Sequence, residues 1–426
     1  MSENPFRITV PQFDWNGGGA DMRSRLQTWH WYSPLPGGAD SVVLDFTRVR
    51  FIEPWALAMF TAYSRRVSLA NDTPVEIVLD DANPANRYIG LMEMKECLKT
   101  GQTGSTWDTS QQNTGLHLIK THADVTHFYK SATRLGTDIG SDTLDALMYA
   151  MAELARNVVQ HSRSPGGGVA IAQRFPERRA IQIAIADTGI GVFPSLKANY
   201  PELRHDLEAL KLSVLPHVSG AASAGGDHMS VDNAGLGLFF CKEITWRAGG
   251  SFWLASRSAL IGIREEDVSA RSRVYRKIEP WPGTLVVIDL PENGVSDFGA
   301  SLRTCRELAE RARALSGPTG IDYLTQVPEL DDLSVVKVAE FVEDVVKAAE
   351  VRTQIIIPTV AAGKSVAIDF TDVRFVTQSF IHALLHEALK ESGAMVRLSM
   401  VNCTRSTREA IQAVAAYSAS YRQIQF

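Results

Sequence analysis

Apolar and polar residues recur with a helical period in the middle of the chain. The apolar positions are spaced by four, three and four residues, as on one face of a helix: Leu147, Met151, Leu154 and Val158. Glu153, Asn157 and His161 recur every four residues and form a second stripe about 100° from the first. The pattern predicts an amphipathic helix with a carboxylate and a carboxamide, one above the other, beside its buried face. His161 is interpreted as a helix-end hydrogen-bonding residue.

A strand with a period of two follows. Isoleucines occupy every second position from 181 to 185, and Asp187 ends the same apolar row. A carboxylate on a core-facing row needs a partner, and an ionised aspartate accepts hydrogen bonds but donates none. The amino group of an adenine would satisfy Asp187, while Gly189 and Gly191 would let the backbone turn sharply beneath a flat base.

A third segment, which holds Gly235, Gly237 and Leu238, precedes a helix predicted over Phe239 to Arg247. Backbone N–H groups at a helix start favour phosphate, and the two glycines allow close approach. The long stretch between the second and third segments includes the run Ser219 to Gly226 and is predicted to be a lid with fixed ends and a mobile middle. Each segment alone has an ordinary explanation, a solvated helix face or a glycine turn. The three in this order indicate a nucleotide pocket.

Composition limits the class of protein. A length of 426 residues allows two to four domains, and 45% hydrophobic with 21% charged residues is an ordinary globular mix. With a net charge of -5 and no long basic run, nucleic acid is not an expected partner. No apolar stretch approaches the roughly 20 residues of a membrane span, and the first residues lack a signal-peptide pattern. The four cysteines are far apart, which favours reduced thiols and a cytoplasmic location.

The flanking regions contain an internal repeat. Ser41 to Phe51 reappears as Ser365 to Phe375, with eight identities in eleven positions. Each copy reads as a strand and a turn, followed by a helix and another strand: Pro54 to Leu69 and Val75 to Leu79 after the first copy, Ser379 to Glu391 and Val396 to Val401 after the second.

Taken together, the three segments make residues from about 120 to 292 resemble the GHKL ATPase domain, the superfamily of gyrase B subunits, heat-shock chaperone ATPases, histidine kinases and mismatch-repair ATPases. The first segment resembles its N box, the next two its glycine boxes, and Trp281 to Pro291 its closing strand. The Glu-x-x-x-Asn-x-x-x-His spacing most resembles the anti-sigma-factor serine kinases. Two features depart from the pattern: Ala234 stands where a basic residue or glycine often precedes the second glycine pair, and Ser256 to Glu279 reads as a long charged insertion between the last two strands.

The resemblance implies ATP and Mg²⁺ as cofactors. It implies that Glu153 acts as the base, that Asn157 ligates Mg²⁺, and that Asp187 reads adenine with support from the hydroxyl of Thr284. The remaining implied nucleotide contacts come from the glycine boxes: Gly189, Gly191, Gly235, Gly237 and Leu238.

Both copies of the repeat resemble STAS domains, the fold of the anti-sigma-factor antagonists, which are known for a phosphorylatable serine immediately before a helix. The matching positions here are Pro54 and Gln378, which cannot accept phosphate, while Thr377 and Ser379 flank the second. The resemblance therefore implies docking or regulatory modules. The alternative is that these strands are ordinary core strands of one large α/β protein.

The predicted fold is α/β: a GHKL two-layer α/β sandwich flanked by N- and C-terminal STAS-like α/β domains. The predicted boundaries are 1–115 for the first STAS-like domain, 116–293 for the ATPase domain, 294–319 for a helical linker and 320–426 for the second STAS-like domain. The linker helix is predicted from about Ser301 to Leu315.

Three functions fit this sequence. The first is a cytoplasmic Mg²⁺-ATP-dependent regulatory ATPase that acts through its STAS-like domains on a protein partner or on a second copy in a homodimer. The second is an anti-sigma-type serine/threonine kinase, in which Glu153 activates a partner's hydroxyl rather than water. The third is a non-enzymatic sensor in which ATP binding alone biases two states. A histidine kinase is not favoured, because His117, His122 and His127 lack the acidic-then-proline context of a phosphoacceptor helix.

Overall fold

The computed structural model describes residues 4–11, 26, 38–71, 73–99, 112–216, 218, 235–264, 274–314, 321–330, 332–373, 376–391 and 393–422. The chain divides into two compact units. The first unit contains Met1–Ser195, Ala248–Leu260 and Lys277–Phe298, and the second contains Leu196–Arg247, Ile261–Arg276 and Gly299–Phe426. No helix in the described part of the chain is both long and apolar enough to cross a membrane.

Strands and helices are numbered in chain order. The strands are β1 (Pro5–Thr9), β2 (Ser41–Asp45), β3 (Val75–Val78), β4 (His117–Ile119), β5 (Gly168–Phe175), β6 (Ala180–Asp187), β7 (Ser251–Ile263), β8 (Val274–Pro291), β9 (Asp322–Leu324), β10 (Leu333–Lys337), β11 (Ser365–Asp369) and β12 (Leu398–Val401). The helices are α1 (Pro54–Asn71), α2 (Pro84–Leu91), α3 (Met94–Lys99), α4 (His122–Lys130), α5 (Ser141–Asn157), α6 (Val192–Lys197), α7 (Asp206–Ser213), α8 (Gly237–Arg247), α9 (Phe298–Ala314), α10 (Val345–Val351), α11 (Ile357–Ala361), α12 (Gln378–Leu385), α13 (Ala394–Arg397) and α14 (Arg405–Arg422). The mixture confirms the predicted α/β class.

A five-stranded sheet lies mainly in the first unit. Its strand order is β4-β5-β6-β8-β7, and the β4–β5, β5–β6 and β6–β8 pairs are antiparallel. In the middle strand, β6, every residue from Ile181 to Asp187 is buried. The row formed by Gln182, Ala184 and Ala186 is therefore covered as fully as the isoleucine row, because α1 packs on β5 and β6.

Small residues on this face of β6 allow α1 to approach the sheet closely. Leu57 and Phe60 of α1 belong to the same buried cluster as Ala184 and Ala186. Leu44 of β2 is part of that cluster as well. The N-terminal sheet (β1-β2-β3) and its helix therefore share one hydrophobic core with the five-stranded sheet.

The start of α1 is held by a buried polar network. Glu53 accepts a hydrogen bond from Gln182 Nε2 at 2.9 Å and pairs with Arg178 at 3.0 Å, and the Trp55 N–H donates to Gln182 Oε1 at 3.3 Å. Burial raises the pKa of Glu53 to about 7. Pro54 is itself buried, so the position that matches the STAS phosphorylation site in the first repeat lies in the interior of this unit.

The repeated sequence forms the same turn in each unit. β2 lies between β1 and β3, and β11 lies between β10 and β12, with all four pairs parallel. After each strand the aspartate accepts hydrogen bonds from the N–H and hydroxyl of a threonine, at 3.0 and 2.6 Å for Asp45 with Thr47 and at 2.9 and 2.6 Å for Asp369 with Thr371. The sequence repeat is thus a structural repeat of strand and turn, and the STAS likeness remains a prediction.

Two boundaries near the end of the chain differ from the predicted ones. α12 ends at Leu385, and a 3₁₀ turn over Ala388–Lys390 replaces the rest of the helix predicted to Glu391. Residues Ala394–Arg397 are helical, so β12 begins at Leu398. Helix and strand ends are the least determined part of a periodic pattern.

The predicted charged insertion from Ser256 to Glu279 is wrong in most of its length. β7 continues to Ile263 and β8 begins at Val274, so the two strands extend well into this segment. The apolar residues Ala259, Leu260, Ile261 and Ile263 are buried, which explains why the strand continues. Residues 265–273, five of which are charged, lie outside the described residues.

Leu57→Ala tests the shared core. Leu57 is 0% exposed, and we expect its truncation to lower the free energy of unfolding by about 2–5 kcal/mol. Leu69→Ala is the control in the same helix, because Leu69 is 54% exposed and its truncation should cost no more than about 0.5 kcal/mol. Urea unfolding followed by tryptophan fluorescence measures both. Equal midpoints would contradict the burial of this helix face.

Candidate functional site

The predicted amphipathic helix is α5, and its two stripes are arranged as the spacing indicates. The predicted apolar stripe is 0 to 6% exposed: Leu147, Met151, Leu154 and Val158. Glu153 and Asn157 are half-buried beside it. The helix continues from Asn157 into a π-helical turn over Val158–Ser162. Such wide turns occur mostly as single insertions in α-helices and are frequent at functional sites.

The polar stripe carries one ion pair. Arg156 Nη1 contacts the Glu153 Oε1 carboxylate oxygen, and the Glu153 side chain is 21% exposed. Asn157 is the last residue of α5. His161 is half-buried in the π-helical turn, where desolvation lowers its pKa. A carboxylate and a carboxamide are therefore available on one partly exposed face.

Asp187 lies at the end of β6 and is 5% exposed. Its carboxylate accepts a hydrogen bond from the Gly189 N–H at 2.8 Å and another from the backbone N–H of Thr284, the residue opposite it on β8. Burial nevertheless dominates and raises the pKa of Asp187 to about 7. The two amides do not compensate for the lost hydration, so a further hydrogen-bond donor would stabilise the ionised carboxylate. The predicted support from the Thr284 hydroxyl remains a prediction.

Ser162 connects α5 to the glycine turn. Its carbonyl oxygen accepts a hydrogen bond from the Ile190 N–H at 2.8 Å. A Cβ added at Gly189 would overlap this same oxygen, so only glycine fits there without displacement. The structure therefore joins the segment that follows Glu153 and Asn157 to the turn that follows Asp187.

Ser256 fixes the other side of the glycine turn. Its hydroxyl donates to the Gly283 carbonyl oxygen at 2.7 Å and accepts from the Val192 N–H at 3.0 Å. Gly191 has a φ of +79°, and its added Cβ would lie 2.7 Å from the Ser256 hydroxyl. Gly283 packs against the Asp187 backbone, where any side chain would overlap the Asp187 carbonyl. The predicted Gly-Thr pair of β8 thus contacts the predicted adenine-reading aspartate.

The third predicted segment belongs to the second unit. Gly235 has a φ of +81°, and an added Cβ would lie 2.6 Å from the Val218 backbone nitrogen. α8 begins at Gly237, two residues earlier than predicted, and Leu238 is half-buried in its first turn. The Ser219 to Gly226 run and Ala234 lie outside the described residues.

Sequence reasoning missed three residues that hold the glycine turn. Ser162 and Ser256 act through the contacts above, and Arg66 of α1 donates from Nη1 to the Thr188 carbonyl oxygen at 2.9 Å. None of the three has a motif of its own. The only available signal was position, since Ser162 directly follows His161 in the polar stripe.

The described residues provide no metal cage. No group of three or more His, Cys, Asp or Glu residues among them is arranged to hold a metal ion, and the four cysteines are buried and form no disulfide. Mg²⁺ and its predicted ligand Asn157 remain predictions.

One comparison with known proteins found a match. Residues 142–294 match the family model described as histidine kinase-, DNA gyrase B-, and HSP90-like ATPase. That range contains every predicted site residue, from Glu153 to Thr284. Searches of curated proteins and of solved structures found no match to the chain. The GHKL ATPase part of the resemblance is thereby supported, whereas the likeness to anti-sigma-factor kinases remains a prediction.

Gly189→Ala tests the packing of the glycine turn. The new methyl group would overlap the Ser162 carbonyl, and we expect a loss of about 1–3 kcal/mol of stability as the turn is displaced. Gly90→Ala is the control, because no atom lies within 4 Å of its added Cβ and alanine is the better helix former. Thermal unfolding compares the two. A Gly189→Ala protein as stable as Gly90→Ala would contradict the close contact with Ser162.

Proposed function

We propose that the protein binds Mg²⁺-ATP at the Asp187 turn and hydrolyses it as a regulatory ATPase. The family match over residues 142–294 supports ATP as the ligand. The observation that carries the proposal is the Asp187 carboxylate: it is buried, its pKa is raised, and its turn leaves no room for side chains at Gly189 and Gly283.

An adenine amino group is the donor that Asp187 lacks. The amino group donates hydrogen bonds and the ionised carboxylate accepts them, so binding stabilises the charged form of the residue. The glycines of the turn are required by its own packing, because an added Cβ at Gly189 or Gly283 would overlap a backbone carbonyl of the protein. Adenine recognition thus accounts for the chemistry of Asp187, while contacts within the protein account for the shape of its turn.

Glu153 is the proposed general base, because its carboxylate is on the partly exposed face of α5. It would accept the proton of a water that attacks the terminal phosphate, and the products would be ADP and inorganic phosphate. Arg156 forms an ion pair with this carboxylate on the same face of the helix. Asn157 is the proposed Mg²⁺ ligand, and the metal would supply charge neutralisation at the phosphates.

The regulatory part of the proposal rests on the flanking segments. Both contain the repeated strand and turn, and we propose that they are STAS-like modules that act on a protein partner or a second copy of the chain. A cytoplasmic location fits four cysteines that form no disulfide.

Incubation with γ-labelled ATP, with and without cell extract, tests the reaction. Release of labelled phosphate from the pure protein supports the ATPase. Label transferred to a serine or threonine of another protein would support the kinase instead, and ATP binding without either product would support the sensor.

Asp187→Asn tests the adenine contact, and pH gives its signature. The folded-state pKa of Asp187 is about 7, above the ordinary 3.8, so the residue is protonated in the free protein below pH 7. Because the adenine amine binds the ionised form, ATP affinity should rise with pH by up to about tenfold per unit until the pH passes 7. Asp187→Asn should bind roughly tenfold to a hundredfold more weakly, because an amide is a poorer partner for that amine.

Calorimetry at about pH 6 and pH 8 measures both effects. Because asparagine does not titrate, the pH dependence of ATP affinity in Asp187→Asn comes from the ATP phosphates alone and serves as the baseline. If ATP affinity depended on pH identically in the two proteins, Asp187 would not be the residue that recognises adenine.

Glu153→Ala and Asn157→Ala separate the two roles on α5. Glu153→Ala should retain ATP and lose about 10²–10⁴ in turnover, the usual contribution of a general base. Asn157→Ala should lose the Mg²⁺-dependent part of ATP binding. Asp145→Ala is the control, because Asp145 is an exposed acid on the same helix and should leave phosphate release unchanged. Phosphate release at the wild-type rate by Glu153→Ala would refute the base assignment.

A further inference from the structure

The chain between the two glycine segments begins with a structured stretch. Residues 192–216, called here the connecting segment, follow Gly191 directly and contain α6 and α7. From Leu196 onward this segment belongs to the second unit, as do residues 299–426. The described residues from 321 to 422 are called here the C-terminal module.

A buried ion pair joins α7 to the C-terminal module. Glu208 of α7 and Arg397 of α13 are 1% and 2% exposed, and Arg397 Nε donates to a Glu208 carboxylate oxygen. Arg397 Nη2 donates to the second oxygen at 3.3 Å and to the Glu202 carbonyl at 3.0 Å. The carboxylate also accepts the Arg204 N–H at 2.7 Å. Both charges are thus paired and hydrogen-bonded in one arrangement.

A second buried pair lies on the same helix. Lys211 of α7 and Asp322 of β9 are 3% and 1% exposed, with Nζ and Oδ2 separated by 3.3 Å. Lys211 Nζ also donates to the Val396 carbonyl oxygen at 3.2 Å. Arg204, just before α7, donates from Nη2 to the Ala361 carbonyl at 2.9 Å. The connecting segment therefore contacts the C-terminal module at several points.

Two glycines of the module make room for these arginines. Gly393 has a φ of +75°, and a Cβ there would overlap the Arg397 guanidinium. Gly363 has a φ of +79°, and a Cβ there would overlap the Arg204 side chain. Both arginine contacts therefore require glycine at positions 393 and 363. This requirement indicates that the contacts are part of the packing of the module.

Separating α7 from the module would have a large energetic consequence. Removing one partner of a buried ion pair leaves an uncompensated charge, which is strongly unfavourable. Release of the segment would place all four charges in water together, so we expect the contacts to be lost as a unit rather than one at a time. Packed elements of this kind switch between discrete arrangements rather than deforming gradually.

We propose that the C-terminal module regulates ATP binding and turnover by holding the connecting segment through Glu208–Arg397 and Lys211–Asp322. The inference rests on the proposed function. The effect of the module on the ATP site would pass along the chain itself, because the connecting segment continues directly from the glycine turn at Gly191. Anything that alters the module changes how often α7 is docked, and by thermodynamic linkage ATP must alter docking by the same factor.

The test uses two conservative variants of the full chain, Arg397→Lys and Asp322→Asn. They weaken the two ion pairs separately, so one remains informative if the other fails to fold. Lys347→Gln is the control, because it breaks an exposed ion pair with Glu350 in the same module. Hydrogen exchange of the α7 amides reports docking without any need for ATP. ATP dissociation constants and phosphate release report the consequence.

We expect faster exchange in α7 and a change of about fivefold or more in ATP affinity or turnover for both variants, with neither change in Lys347→Gln. Faster exchange in α7 with ATP parameters equal to those of the wild type would overturn the regulatory inference. Unchanged exchange would overturn the docking itself. A wild-type protein that binds no ATP would refute the proposed function instead, and the exchange experiment would still show whether the pairs hold α7.

Discussion

The burial of β6 on both faces is the constraint on which the first unit depends. Its isoleucine row packs on one side, and its alanines at 184 and 186 leave room for α1 on the other. A strand enclosed in this way ends in a dry environment, and Asp187 stands at that end. The same burial that stabilises the sheet therefore raises the pKa of the carboxyl group and gives it a need for a hydrogen-bond donor.

The glycine turn is held from three directions, and each contact falls on backbone rather than on a conspicuous side chain. The Ser162 carbonyl receives the Ile190 N–H, Ser256 links the turn to β8, and Arg66 of α1 binds the Thr188 carbonyl. The last contact gives the N-terminal region a direct role in positioning the turn. An ATP pocket in this protein would thus depend on residues outside the ATPase-like range 142–294.

The two copies of the repeat are used differently. In the first, the helix start is covered by β6 and anchored by Glu53. In the second, Thr377 and Ser379 at the start of α12 are exposed, and Thr377 is held by hydrogen bonds of 2.7 Å to Glu343. One copy has become part of a core, whereas the other keeps its helix start open and uses α13 and β9 to hold α7. A shared strand and turn therefore does not imply a shared role.

The sequence by itself determined the elements whose signals are local. The stripes of α5, the alternation of β6, the glycine segments and the Asp-Phe-Thr turns all arise from neighbouring residues, because periodicity and turn chemistry act over a few positions. It also indicated that Asp187 would be buried, because the residue ends an apolar row. Only the tertiary structure decided what covers the alanine face of β6, which carbonyl forbids a side chain at Gly189, and which charge neutralises Glu208. Those answers join residues as far apart as Arg66 with Thr188, separated by 122 positions, and Glu208 with Arg397, separated by 189. No local pattern records such pairs, because a buried charge or a missing Cβ is explained only by the atoms that fold against it.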